Sequence, residues 1–182
     1  MQMHSHFHLI LDEIKQTLAN ISESETDKFL KVLMDDSAIF VAGKGRSGLV
    51  MNSFAMRLNQ LGKQAYVIGE TTTPSIQPND VFVIASGSGS TAHLKLLAQT
   101  AKDKQAYVLL LSTTPKSPIA TIADLTIVLP AGTKYEVKGS QQPLGSLFEQ
   151  SSQIYLDSMV LTMQEIVKVN ETTMQDNHAN LE

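Results

Sequence analysis

Apolar positions along this chain switch between two rhythms, and the switching predicts the fold. Phe7, Ile10, Leu11, Ile14 and Leu18 recur at helical spacing and predict an amphipathic helix near the start. Ser22 and Glu25 form a capping box. The helix it opens would bury Phe29, Leu30, Val32 and Leu33 and end near Asp36. Short apolar runs then alternate with helical patterns. Residues 38–42 read as a strand, followed by a helix with Val50, Phe54, Leu58 and Leu61 on one face. Residues 64–68 and 81–85 read as strands, with a helix from Ala92. Further strands fall at 106–111 and 125–129, separated by a short segment near 118–123. A long polar connection, 130–145, carries Lys134, Lys138, Gln141, Gln142 and Pro143. Ser146 then starts a last helix carrying Leu147, Ile154 and Leu161 to about Lys168, and 170–182 reads as a polar tail. Near-continuous apolar strands alternating with helices are the signature of a parallel sheet covered on both faces. The chain is thus expected to be one α/β domain over 1–182. Its N-terminal helices lie in 5–36, its α/β core in 38–168 and its tail in 169–182.

Composition narrows the class. The chain has 182 residues, 42% hydrophobic and 18% charged, enough for a real core. A net charge of -4 argues against a general nucleic-acid or membrane partner, while leaving room for a local anion site. There are no cysteines, which makes a cytoplasmic protein the expectation. No apolar run reaches membrane-spanning length, and no signal-peptide core is evident at the start. His4, His6 and His8 alternate, but on a helix His4 and His8 share a face that His6 does not, so a solvated end is expected and not a metal site.

Two strand–loop–helix junctions hold the candidate chemistry. The run Ser86-Gly87-Ser88-Gly89-Ser90-Thr91 joins a strand to a helix. A helix N-terminus presents unpaired N–H groups and partial positive charge, glycines admit close approach, and hydroxyls add donors. This is a phosphate cradle or an ordinary Ser/Gly turn. The earlier junction, Gly43-Lys44-Gly45-Arg46-Ser47-Gly48, spells the glycine pattern of a dinucleotide fold, and Glu70 falls near where such a fold puts its ribose-binding acid. A dinucleotide fold needs only the first loop, however, and the chain is short for a dehydrogenase. Two hydroxyl-rich loops at strand ends favour a sugar phosphate.

Taken together, the two loops resemble those of the sugar isomerase (SIS) domain family, and the likeness covers nearly the whole chain. Several blocks are similar to the 6-phospho-3-hexuloisomerases within it. They are Phe54-Ala55-Met56-Arg57-Leu58, Gly69-Glu70 with Thr71 to Pro74, Gln142 through Gln150, and the closing His178-Ala179-Asn180-Leu181-Glu182. The resemblance implies a five-stranded parallel sheet in a three-layer αβα, flavodoxin-like arrangement. It also implies a cytoplasmic homotetramer that uses no cofactor and no metal. The implied reaction interconverts D-arabino-hex-3-ulose 6-phosphate and fructose 6-phosphate through a cis-enediol, in the formaldehyde-fixing ribulose monophosphate pathway.

Site residues are carried over from that likeness. Ser86, Ser88 and Thr91, with the Gly87 and Gly89 backbone, would bind phosphate, and Ser47, at the first helix start, would hydrogen-bond a sugar hydroxyl of the substrate or simply cap the helix. Glu149 would be the base, although Ser146 and Glu149 also spell a capping box. His178 would be a second catalytic group, reaching a neighbouring subunit through the tail. Gly45, Arg46, Glu70 and Thr71 would touch the sugar. Two departures stand out: Asn59-Gln60 occupy a place where relatives commonly carry a His, and Ser90 replaces a common Glu. Sister isomerases of arabinose or heptose phosphates, a non-catalytic sugar-phosphate sensor and a dinucleotide binder remain the alternatives.

Overall fold

The structure is a computed structural model, and it describes residues 3–132 and 140–181. Lys134, Lys138 and Glu182 lie outside the described residues. Five parallel strands form a single sheet: β1 (Ile39–Gly43), β2 (Ala65–Val67), β3 (Val81–Ala85), β4 (Tyr107–Ser112) and β5 (Leu125–Val128), in the order β2-β1-β3-β4-β5. The helices are α1 (Met3–Ala19), α2 (Glu23–Met34), α3 (Arg46–Gln60), α4 (Ala92–Asp103), α5 (Ser146–Val167) and α6 (Glu171–Asp176). This is the three-layer α/β arrangement with the flavodoxin-like strand order, in agreement with the sequence pattern.

Strand periodicity divides the core in two. Val41, Val83, Leu109 and Leu111 point to one face, where they meet Phe29 and Leu33 of α2, Met51 and Phe54 of α3, and Leu156 of α5. Phe40, Phe82, Ile84, Val108 and Leu110 point to the other, where α4 supplies Leu94, Ala98 and Ala101, and Ile119 comes from the turn before β5. Both faces are covered, so the central strands β1, β3 and β4 are apolar at nearly every position. Each fully buried Leu or Phe side chain contributes on the order of 1.5–3 kcal/mol relative to exposure.

The topology places a site. Gly43 pairs with Ala85, and Ala85 with Leu111, so β1, β3 and β4 end at one level. From there α3 departs to one face and α4 to the other, opening the crevice where ligands of open α/β sheets bind.

Three local expectations change. First, α1 begins at Met3 and not at residue 5, so His4, His6 and His8 lie on its first turns, where all three are exposed as a solvated end requires and the His4 ring packs edge-on to Phe7. Second, the tail is not wholly irregular. Asn170 accepts the Thr173 N–H at 2.8 Å and caps α6, and Met174 packs onto the core. Third, the predicted capping box at Ser146 and Glu149 does not form: Gly145 is the N-cap of α5, and Ser146 is already helical. The Ser22 cap of α2 does form, with Ser22 Oγ accepting the Glu25 N–H at 3.4 Å.

Candidate active site

The loop after β3 is held rigidly from below. The Gly87 carbonyl accepts the Thr113 N–H at 3.0 Å, the Thr113 hydroxyl at 2.8 Å and the Ser112 hydroxyl at 3.1 Å. Gly89 takes a φ of 59° and accepts the Ile119 N–H at 2.9 Å. Alanine there would combine an unfavourable φ with overlap of its Cβ on Ser117 Oγ. Ser90 braces Ser88: the Ser90 hydroxyl and N–H both donate to Ser88 Oγ, at 2.9 and 3.3 Å. Ser88 thus accepts twice and keeps its own proton to donate. Thr91 is the N-cap of α4, but its side chain makes no cap hydrogen bond. Ser86 Oγ is buried without a hydrogen-bond partner, an arrangement that costs about 1–3 kcal/mol until a ligand satisfies it.

The loop after β1 is tighter still. A Cβ on Gly43 would lie 2.7 Å from backbone atoms of Ser47 and Gly48, so the helix start sits directly over the strand end. Gly45 caps α3 with a φ of 58°. Arg46 Nη1 donates to Ser146 Oγ at 2.8 Å, tying the start of α3 to the start of α5.

These loops and the first turn of α5 enclose a cavity of about 410 Å³. Its walls include Gly45, Arg46 and Ser47 from the first loop, and Ser86, Gly87, Ser88 and Thr91 from the second. Leu144, Phe148 and Glu149 close it. Phe148 lies against Gly87, where an added Cβ would meet the ring at 3.3 Å. Leu144 holds a φ of 57°, a strained backbone for a non-glycine residue, at the mouth of the cavity. The Glu149 side chain is 16% exposed, with Oε2 3.1 Å from Arg46 Nε. Burial pushes its carboxyl above the ordinary value, and the Arg46 charge offsets part of that rise.

The structure does not gather every expected residue. Glu70 and Thr71 are exposed beyond the end of the edge strand β2 and take no part in the cavity wall. His178 lies elsewhere in this chain. Asn177 Nδ2 donates to the Gln60 carbonyl at 3.1 Å, at the far end of α3. The helix rise puts that end about 21 Å from Arg46. Gln60 is itself buried, with Oε1 accepting from Arg57 Nη1 at 2.7 Å. Phe148 and Leu144 were not singled out by sequence reasoning; a Pro-Leu-Gly turn before a helix was their only local signal. Among the described residues, no cluster of His, Asp and Glu is placed to hold a metal ion.

Comparison with known proteins then settles the family. The SIS domain profile matches residues 32–156, which takes in every strand and both loops. The chain belongs to the SIS domain family. Within the SIS proteins, the 3-hexulose-6-phosphate isomerase of Bacillus subtilis is 40% identical over 176 residues, covering 95% of each chain. The enzyme of that name from Methylomonas aminofaciens is 36% identical over 183 residues, covering 99% of this chain and 100% of its own. The crystal structure of a Methanococcus jannaschii protein, with an inferred function of 3-hexulose-6-phosphate isomerase, superposes with a TM-score of 0.85. It is 28% identical and covers 98% of this chain and 99% of that one.

Proposed function

We propose that this chain is a 6-phospho-3-hexuloisomerase (3-hexulose-6-phosphate isomerase), a single SIS domain that interconverts D-arabino-hex-3-ulose 6-phosphate and fructose 6-phosphate. The observation that carries the reading is the joint lining of one cavity by a hydroxyl-rich anion loop and a desolvated carboxylate. Its near-full-length relatives of that name support it.

Each end of the substrate has a counterpart. The phosphate sits at Ser86 to Thr91, taking the unpartnered Ser86 hydroxyl, the Ser88 and Thr91 hydroxyls and the free N–H groups opening α4. Ser47 and Gly45 contact the sugar from the opposite wall. Glu149 removes the C2 proton of the 3-ketose, the electron pair forms the C2–C3 double bond, and the C3 oxygen takes a proton. Returning a proton to C3 while the C2 hydroxyl loses its own yields the 2-ketose. Arg46 stands beside Glu149, where negative charge gathers on the enediol oxygens. A raised carboxyl pKa suits the base, because proton transfer is most efficient near the working pH.

The finer assignments belong to the same reading: a cytoplasmic homotetramer in formaldehyde fixation, with His178 supplied by a neighbouring copy. The deciding experiment feeds the chain a 3-hexulose 6-phosphate source and couples fructose 6-phosphate to NADPH formation. Product from the parent, and a loss of about 10²–10⁴-fold in kcat for Glu149→Gln with fructose 6-phosphate binding retained, is the expected result. Turnover of arabinose 5-phosphate instead would reassign the substrate, and binding without turnover would make the chain a sensor.

A further inference from the structure

Glu13 lies on α1, outside the cavity wall, yet its carboxylate grips the segment that leads into the base. Glu13 Oε2 accepts from the Ser140 hydroxyl at 2.8 Å and from the Gln142 side-chain amide at 3.0 Å, while Oε1 accepts from the Gln141 N–H at 2.8 Å. Ser140 Oγ in turn accepts the Gln142 N–H at 2.9 Å, closing the network. All three groups facing the carboxylate are donors, which matches the acceptor-only character of its ionised form. Burial works to raise the Glu13 carboxyl, and the three hydrogen bonds outweigh it, holding it below the ordinary value.

Immediately beyond Gln142 the chain forms the cavity mouth. Leu144 is in its left-handed conformation, Gly145 caps α5, Ser146 is bound by Arg46, and Glu149 is the base. A strained residue such as Leu144 persists only where its surroundings over-determine it. Here it is pinned on both sides, by Glu13 through Gln142 and by Arg46 through Ser146.

We propose that Glu13 is a positioning residue for the isomerase: its clamp on Ser140–Gln142 fixes the start of α5 and thereby sets Glu149 against the bound sugar. The inference rests on the reading of Glu149 as the base. It predicts a split between the two halves of the site. The phosphate loop is anchored by β4 and the Ile119 turn, with no bond to Glu13. Substrate binding therefore survives loss of the clamp, while proton transfer from a misplaced carboxylate does not.

The test compares Glu13→Gln, Glu13→Ala and the exposed control Asp12→Asn in the full chain. Both Glu13 variants are expected to lose roughly ten- to a hundredfold in kcat with KM within about twofold, while the control matches the parent. Unchanged kcat, or kcat and KM failing together with the melting temperature, would overturn the proposal. Hydrogen–deuterium exchange of the same proteins, with and without fructose 6-phosphate, gives an answer independent of turnover. Faster exchange confined to 140–149 supports the clamp, and unchanged exchange there rules it out. An inactive parent whose Glu13→Gln variant still loosens 140–149 would sink the isomerase reading and leave the clamp standing.

Discussion

Arg46 Nε stands 3.1 Å from Glu149 Oε2, yet no hydrogen bond joins the two atoms. The guanidinium directs its aligned N–H to Ser146 Oγ instead. The carboxylate thus feels a positive charge without being capped by it, and its lone pair stays available for a proton. Arg46 is 57% exposed against 16% for Glu149, so solvent weakens the attraction while burial of the carboxyl persists.

That pair sets a pH profile. The base works only when deprotonated, and burial holds its carboxyl above the ordinary 4.5. The acid limb of kcat/KM is therefore expected at higher pH than an ordinary carboxylate would give. Arg46→Gln removes the charge that offsets the rise, so its limb moves to still higher pH. A limb that stays put in Arg46→Gln would show that Glu149 is not the titrating group.

The same shift has a stability sign. A carboxyl raised in the fold lends stability that is present below its unfolded pKa and lost as pH rises through the folded value. Glu149→Gln is therefore expected to raise Tm at about pH 7 and to give no gain near pH 4. Thermal melts at the two pH values check this.

Ser86→Ala separates stability from binding. The Ser86 hydroxyl is buried and unpartnered, so removing it leaves the free protein as stable as before or up to about 1 kcal/mol more stable. The ligand loses a donor, and affinity for fructose 6-phosphate falls roughly tenfold. Urea unfolding and calorimetry of one variant give both numbers.

Gly89→Ala acts in the other direction. Its φ of 59° and the Cβ overlap with Ser117 leave no relaxed conformation. A loss of about 1–3 kcal/mol is expected in urea unfolding, together with weaker phosphate binding.

His178 is testable by subunit mixing. If a neighbouring copy supplies the imidazole, His178→Ala loses about 10²-fold in kcat. Mixing it with Glu149→Gln and reassembling then restores measurable turnover, because some sites receive both native residues. No recovery on verified mixed oligomers would remove His178 from the reaction.

Legibility in the sequence tracked the range of the forces involved. The strand 81–85 is observed with the same bounds, because its apolar run is flanked by turn residues. The Ser22 cap was legible for the same local reason. The box at Ser146 was not, because the Ser146 hydroxyl is claimed by Arg46, far away in sequence. The helix α6 has only 6 residues, and its support comes from Asn170 and from the Asn177 bond to Gln60. Glu13 carried no local signal at all: a polar residue on a surface helix is ordinary until the fold brings Ser140 to Gln142 beside it. In the cavity, the two Gly/Ser loops were legible as motifs, while Glu149 was singled out by family resemblance and its one local motif, the capping box, did not form. Phe148 and Leu144 entered only through shape.

The departure of α3 and α4 to opposite faces has an electrostatic consequence. Both helices aim their N-termini at the same crevice, and neither has an acidic residue in its first turn. Two partial positive charges therefore add with Lys44 and Arg46 at one point of a chain whose net charge is -4. Sugar phosphates are thus expected to meet repulsion from the chain at a distance and, at the hydroxyl-rich loop, attraction that the Glu149 carboxylate only partly opposes. Their capture rate should be governed by this local field over about a Debye length, with the doubly charged phosphate ester favoured over the singly charged form.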